Sequence, residues 1–164
     1  MLTLTIDSSS SSCSVAVVSD GIISSTVSAH MERGHGAAIM PMIQKAVNES
    51  NFSLSDFTSI AVTIGPGSFT GLRIAMAAAK GLAISQDIPL IGISCFEAVA
   101  QRVNQADRAL PYDILLIALN SKREDLYLEC RDALNKKVIP GGAVNSDLFF
   151  VKLKKLIGRD THIR

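Results

Sequence analysis

Asp7 closes an apolar segment, Met1-Leu-Thr-Leu-Thr-Ile-Asp7, and a run of serines follows it at once. Serine favours turns, because its hydroxyl competes for nearby backbone groups. Further along, IGPGSFTGLR at residues 64–73 carries three glycines and a proline between an apolar run and a helix-like segment. Glycine-rich loops cradle phosphates when free N–H groups at a helix N-terminus face the anion. Gly65, Pro66, Gly67, Ser68, Phe69, Thr70 and Gly71 are therefore the first candidates for chemistry.

The loop fails each known chemical pattern on a named residue. A Walker loop needs a lysine after its last glycine, and Leu72 and Arg73 follow Gly71. A dinucleotide fingerprint fits Gly65 and Gly67 but finds Thr70 in place of its third glycine. A nucleophile elbow around Ser68 would need glycines where Pro66 and Thr70 stand. What remains is geometry: glycines reach backbone angles closed to other residues, Pro66 fixes a turn, and Ser68 or Thr70 can cap a helix. The histidines form no metal set, because His30 and His35 are five apart and His162 is distant. Cys13, Cys95 and Cys130 show no CxxC spacing and read as buried thiols.

The helix that the loop introduces, TGLRIAMAAAKGLAIS, is apolar almost all round. Gly71, Ala75, Ala78, Ala79 and Gly81 are small; Leu72, Ile74, Met76, Leu82 and Ile84 are large. Arg73 and Lys80, seven apart, fall on nearly one face. One apolar face must pack on a sheet, and a second then needs another cover. Small residues three or four apart let another backbone come close. The expected contact face comprises Met40 and Ile43 of a preceding helix with Gly71, Arg73, Ile74, Ala75, Ala78, Lys80 and Gly81.

Composition narrows the classes. The chain has 164 residues, 48% of them hydrophobic and 19% charged, with a net charge of +1. A sizeable core is available, and bulk electrostatic binding to nucleic acid is disfavoured. The first residues already read as a strand, so no leader is expected, and no apolar run reaches the roughly 20 residues of a membrane helix. A cytoplasmic protein without membrane contact is expected. Period-2 alternation predicts strands over 2–7, 13–18 and 22–28, with Asp20-Gly21 as the hairpin turn. Helical spacing covers 36–48, interrupted by Pro41, and 69–85. Strands follow at 60–64 and 89–93, then a helix over 94–104 with Ser94 as its cap, and strands at 114–119 and 126–130. Past Lys136 the pattern fades; 147–157 reads as amphipathic. The order is that of an α/β lobe with a mixed five-stranded sheet flanked by helices, residues 1–110, and a second lobe over 111–164.

The segments IDSSSSSCSVAVVSDG, GHGAAIMPMI, IGPGSFTGLRIAMAAAKGLA and IPLIGISCFEAVA occur here in the order of the TsaB (YeaZ) family, and LNSKREDLYLEC resembles that family's opening of its second lobe. The resemblance covers about residues 1–131. It implies a ribonuclease-H-like, actin-like ATPase lobe and an incomplete second lobe, since family members usually continue for several dozen residues. It also implies a non-catalytic subunit that joins a TsaD-like catalytic subunit and a TsaE-like ATPase in N6-threonylcarbamoylation of the adenosine beside the tRNA anticodon. tRNA would be met only indirectly, and a homodimer would form in isolation through the face TsaD uses. No cofactor is expected to be tightly held; ATP or ADP at a subunit joint is the nucleotide site left open. Asp7 stands where the superfamily places a metal- and phosphate-side aspartate, so the resemblance makes Asp7 and Ser8 the nucleotide-binding candidates, but Ser9 replaces the usual glycine two residues on. Asn120 stands where the family usually has Asp, and Glu124 where Gly is frequent. The alternatives are a nucleotide-hydrolysing enzyme of the actin/Hsp70/sugar-kinase superfamily and a glycoprotease-like peptidase built on Ser68.

Overall fold

The structure, a computed structural model, describes residues 1–106, 113–121, 123–145 and residue 151. It divides into two units, Met1–Ser94 and Cys95–Arg164.

In the first unit the strands are β1 (Leu2–Asp7), β2 (Ser12–Ser19), β3 (Ile22–His30), β4 (Ser59–Gly65) and β5 (Leu90–Ser94). They form one mixed sheet in the order β3-β2-β1-β4-β5. The β1–β2 and β2–β3 pairs are antiparallel, and β1–β4 and β4–β5 are parallel. The β2–β3 hairpin turns at Asp20 and Gly21, with φ of 50° and 82°, which suits a two-residue turn matched to strand twist. Alternation decides the faces. Leu4 lies opposite Val17 and Ile60, and Ile6 opposite Val15 and Val62, and all are buried. On that apolar face sit α1 (His35–Glu49), over β2 and β3, and α2 (Phe69–Gln86), over β4 and β1. The other face carries Thr3, Thr5 and Asp7; Thr3 Oγ1 and Ser59 Oγ are 2.8 Å apart, so buried hydroxyls satisfy each other.

Pro41 lies inside α1 rather than ending it. Its ring faces solvent, and the helix keeps its buried stripe of Ile39, Met42, Ile43, Ala46 and Val47. Burial of that stripe outweighs the lost backbone bond. The Ser25 hydroxyl of β3 donates to the Ala46 carbonyl at 2.6 Å and ties the helix to the sheet.

In the second unit α3 (Cys95–Ala106) is followed by an antiparallel sheet in the order β6-β7-β8. These are β6 (Ile114–Asn120), β7 (Leu126–Asp132) and β8 (Lys137–Val144). Phe96 and Ala100 of α3 pack on Leu115 and Ile117 of β6. The division therefore falls after Ser94 and not after residue 110: the helix shares its apolar face with the second sheet. The sequence reading contains no strand at β8, because Pro140, Gly141 and Gly142 interrupt it. At a sheet edge a proline loses no ladder bond that matters, and Gly141 brings the strand close to the Phe96 ring and Glu129 Oε2. The stretch 147–157 lies outside the described residues, residue 151 apart.

Arg131, 1% exposed, is the largest fully buried side chain among the described residues. Its Nε donates to Glu129 Oε1 at 2.6 Å and its Nη1 to Glu97 Oε2 at 2.7 Å, with Asn135 Oδ1 at 3.0 Å. Burial pulls its ionisation down, and the two carboxylates outweigh this and hold the guanidinium charged.

Candidate functional site

The glycine turn is built against the serine turn after β1. Asp7 Oδ1 accepts the Ser9 N–H at 2.9 Å and the Thr63 hydroxyl at 2.7 Å. One carboxylate oxygen thus fixes the β1–β2 turn to the end of β4. The Ser68 N–H donates to the Ser9 carbonyl at 2.6 Å. A Cβ on Gly67 would collide with the Ser9 carbonyl, and one on Gly71 with the Ser8 carbonyl. Gly65 has φ of +105° and precedes a cis peptide bond to Pro66. The three glycines therefore serve a close approach of two backbones and one left-handed turn.

This arrangement bears on the phosphate reading. The Ser9 carbonyl takes the Ser68 N–H just ahead of α2, and the Ser8 carbonyl lies against Gly71, so two carbonyl oxygens stand beside the first turn of the helix. Ser68 Oγ accepts the Gly71 N–H at 3.2 Å and is the N-cap of α2. Its oxygen is engaged as a cap, and among the described residues no histidine or acid is bonded to it. Ser8 is fully buried, and its Oγ has no hydrogen-bond partner of normal geometry. Burial pushes the neighbouring Cys13 thiol up, the Ser8 hydroxyl opposes this, and the Asp7 charge adds to it. Among the described residues no three His, Cys, Asp or Glu side chains gather as a metal set.

Beyond its cap, α2 has two opposite sides. Gly71, Ala75, Ala79, Leu82 and Ala83 are buried against the sheet and α1. The outward side carries Phe69, Arg73, Ala77, Lys80, Gly81 and Ile84, all exposed. Phe69 is 67% and Ile84 81% exposed, unusual for large apolar residues on a packed helix. Arg73 lies over the Phe69 ring, 3.8 Å from its centroid. Nothing lies within 4 Å of where a Gly81 Cβ would stand. Beside this stripe a groove of about 390 Å³ runs between the helices, lined by Met40, Ile43, Val47, Phe52, Leu54 and Leu82 among others.

The expected contact face is thus divided. Arg73, Lys80, Gly81 and Met40 are exposed, and Ile74 and Ala78 are half-buried. Ile43, Gly71 and Ala75 are buried in the lobe itself, because α1 and α2 pack on each other and on the sheet. Gly71 and Ala75 present no surface, and Ile43 reaches only the wall of the groove. Spacing alone marks small residues and does not tell which small stripe faces the sheet. Ala77, and the four-residue pairing of Phe69 with Arg73, were missed; the latter is legible as an aromatic–arginine i,i+4 pair.

A five-stranded mixed sheet with helices over one face and an aspartate at the end of its first strand defines a ribonuclease-H-like, actin-like lobe. A family profile described as "TsaD: tRNA N6-adenosine threonylcarbamoyltransferase" matches residues 19–135. The chain is 43% identical over 133 residues to the tRNA threonylcarbamoyladenosine biosynthesis protein TsaB of Escherichia coli strain K12, covering 77% of this chain and 53% of that protein. A crystal structure described as an uncharacterized Pseudomonas aeruginosa protein with similarity to peptidase YEAZ superposes with a TM-score of 0.77 at 25% identity, over 88% of this chain and 66% of that one. The ROK hexokinase of Thermus thermophilus has a TM-score of 0.51 at 14% identity, over 84% of this chain and 48% of that one, and shares the fold alone. The chain belongs to the TsaD-related family, on its TsaB/YeaZ branch. It spans about half the length of the curated TsaB relatives it matches.

Proposed function

We propose that this chain acts in the making of threonylcarbamoyladenosine in tRNA as a non-catalytic subunit. It docks a TsaD-like catalytic subunit on the outward side of α2, with a TsaE-like ATPase in the same assembly. The observation that carries this reading is the outward stripe of α2. A helix packed on its own lobe through Gly71, Ala75 and Ala79 still exposes Phe69 and Ile84 around a small centre. An apolar, sterically open stripe of this kind suits a helix from another protein.

The chemistry near Asp7 supports the non-catalytic part. Asp7 Oδ1 is taken by Ser9 and Thr63, and the Ser68 N–H just ahead of α2 is taken by the Ser9 carbonyl. In isolation two copies pair through the same stripe, and tRNA is reached through the partner. The setting we infer is the cytoplasm; among the described residues no helix is long and apolar enough to cross a membrane.

Reconstitution tests the reading. A purified TsaD-like subunit, a TsaE-like ATPase, tRNA, ATP and the threonylcarbamoyl donor are incubated with and without this chain. The modified nucleoside is expected only with it, and the Asp7→Ala variant is expected to support the reaction if kept below its melting point. Full modification without the chain contradicts the reading, as does loss of activity in a folded Asp7→Ala protein.

A further inference from the structure

We propose that Asp7 is a positioning residue for the docking stripe. Its Oδ1 works as a hydrogen-bond acceptor, not as a charge for metal or phosphate, and it fixes the first turn of α2 and with it the place of Phe69. The proposal deepens the partner-binding reading above and rests on it.

The sheet creates the need for such a device. The ladder between β1 and β4 ends at Ile6 and Val62. On the other side of β4, the register with β5 slips between Thr63 and Gly65. Regular backbone pairing therefore gives out where β4 passes into the glycine loop. Asp7 stands just past the last β1–β4 pair, and its Oδ1 takes the Thr63 hydroxyl at 2.7 Å and the Ser9 N–H at 2.9 Å. One atom thus joins the end of β4 to the serine turn. The turn passes the constraint on. The Ser9 carbonyl accepts the Ser68 N–H at 2.6 Å, and the Ser9 and Ser8 carbonyls lie against Gly67 and Gly71 too closely for a Cβ. Ser68 is the N-cap of α2, and Phe69 is its first residue.

Phe69 has little packing of its own. It is two-thirds exposed, and Arg73, which lies over its ring, is exposed as well. An aromatic so placed owes its position to its backbone, and an anchor fixed beforehand loses less freedom on binding. Both donors meet one oxygen, and each bond needs only an acceptor, which an amide also offers. Holding a metal needs the charge. Asp7→Asn therefore separates the two roles, and Asp7→Ala removes both.

Amide hydrogen exchange of the chain alone, and titration with a purified TsaD-like subunit, test this. Asp7→Ala is expected to speed exchange at Ser68 about tenfold, while the amides of residues 75–79 change about threefold or less, a split that general loss of stability would not give. The same variant is expected to bind the subunit about tenfold more weakly; the reconstituted reaction, run with the chain in excess, still proceeds. Asp7→Asn is expected to stay within about threefold of wild type in both measurements. Thr63→Val is expected to move both in the direction of Asp7→Ala, and Thr63→Ser to restore them. Ser10→Ala alters the same turn, where Ser10 Oγ accepts only the Ser12 N–H, and is expected to change neither. The inference is overturned if folded Asp7→Ala leaves Ser68 exchange or subunit affinity at the wild-type value, if Asp7→Asn fails as Asp7→Ala does, or if Ser10→Ala matches them. Should Asp7→Ala not fold, the two Thr63 variants decide by the same measurements. Should wild type itself not bind the subunit, the functional reading falls, and the exchange order at Ser68 still decides whether Asp7 positions the start of α2.

Discussion

Gly71 and Gly81 sit in one helix and obey opposite rules. A Cβ at Gly71 would enter the Ser8 carbonyl, whereas one at Gly81 would meet nothing within 4 Å. Gly71→Ala is expected to destabilise the fold by about 2 kcal/mol or more, through forced backbone separation. Gly81→Ala is expected to stabilise it by up to about 1 kcal/mol, because alanine loses less backbone freedom in a helix. Chemical denaturation of the two variants reads both signs. The glycine signature in the sequence is visible as a pattern, but its purpose is not, since the atoms it avoids belong to Ser8 and Ser9, far off along the chain. Asp7 illustrates the same limit. Its position at a strand end is legible, while its use as an acceptor for Ser9 and Thr63 depends on the β1–β4 pairing. The buried thiol of Cys130 is pushed up to about 11 by burial and by the Glu129 charge. Its folded value lies above its unfolded one, so the neutral thiol adds no pH dependence below about pH 9. Stability then falls as pH rises from there toward 11, because the unfolded chain ionises first. A melting temperature that declines over this interval in wild type, and declines less in Cys130→Ala, is the expected result.

At the scale of elements, alternation and helical spacing mark the first unit well because each of its elements is half-buried. Strand β1 alternates since one face meets α2, and α1 shows its stripe despite Pro41. The second unit is harder to read. Strand β8 hides its alternation behind Pro140 and two glycines, and β7 buries charges where a strand is expected to bury hydrocarbon. Arg131 is held between Glu129 and Glu97, with Glu129 also 1% exposed. Removing Arg131 leaves Glu129 buried with only Lys137 Nζ, 3.7 Å from its Oε2, while the Glu97 side chain is half exposed. Arg131→Ala is expected to cost the second unit about 3–5 kcal/mol. Arg131→Met with Glu129→Leu is expected to cost less than that single change, as paired removal leaves no orphaned charge. A double-mutant cycle by thermal melting checks this. On α2, the Arg73–Phe69 stack is exposed, and Arg73→Ala is expected to cost only about 0.5–1 kcal/mol. A larger loss would mean that Arg73 belongs to the core rather than to a docking face.

At the scale of the whole molecule, the account reduces to which surfaces the fold uses and which it leaves. The lobe takes Ile43, Gly71 and Ala75 for itself and leaves Phe69, Arg73, Lys80, Gly81 and Ile84 outside. The sequence already shows that α2 is too apolar for one packed face. It does not show which stripe is left over, because small residues lie on both sides of the helix and only the sheet beneath decides. The family likeness supplies the class of partner, and the stripe supplies the place. The most direct measurement is sedimentation velocity of this chain mixed with a TsaD-like subunit, comparing wild type with Gly81→Glu. The substitution adds bulk and charge at a point that is empty in the folded lobe. The account predicts a heterocomplex with wild type, and separate species with a Gly81→Glu protein that melts no lower than wild type. A heterocomplex of undiminished affinity with the variant would contradict it.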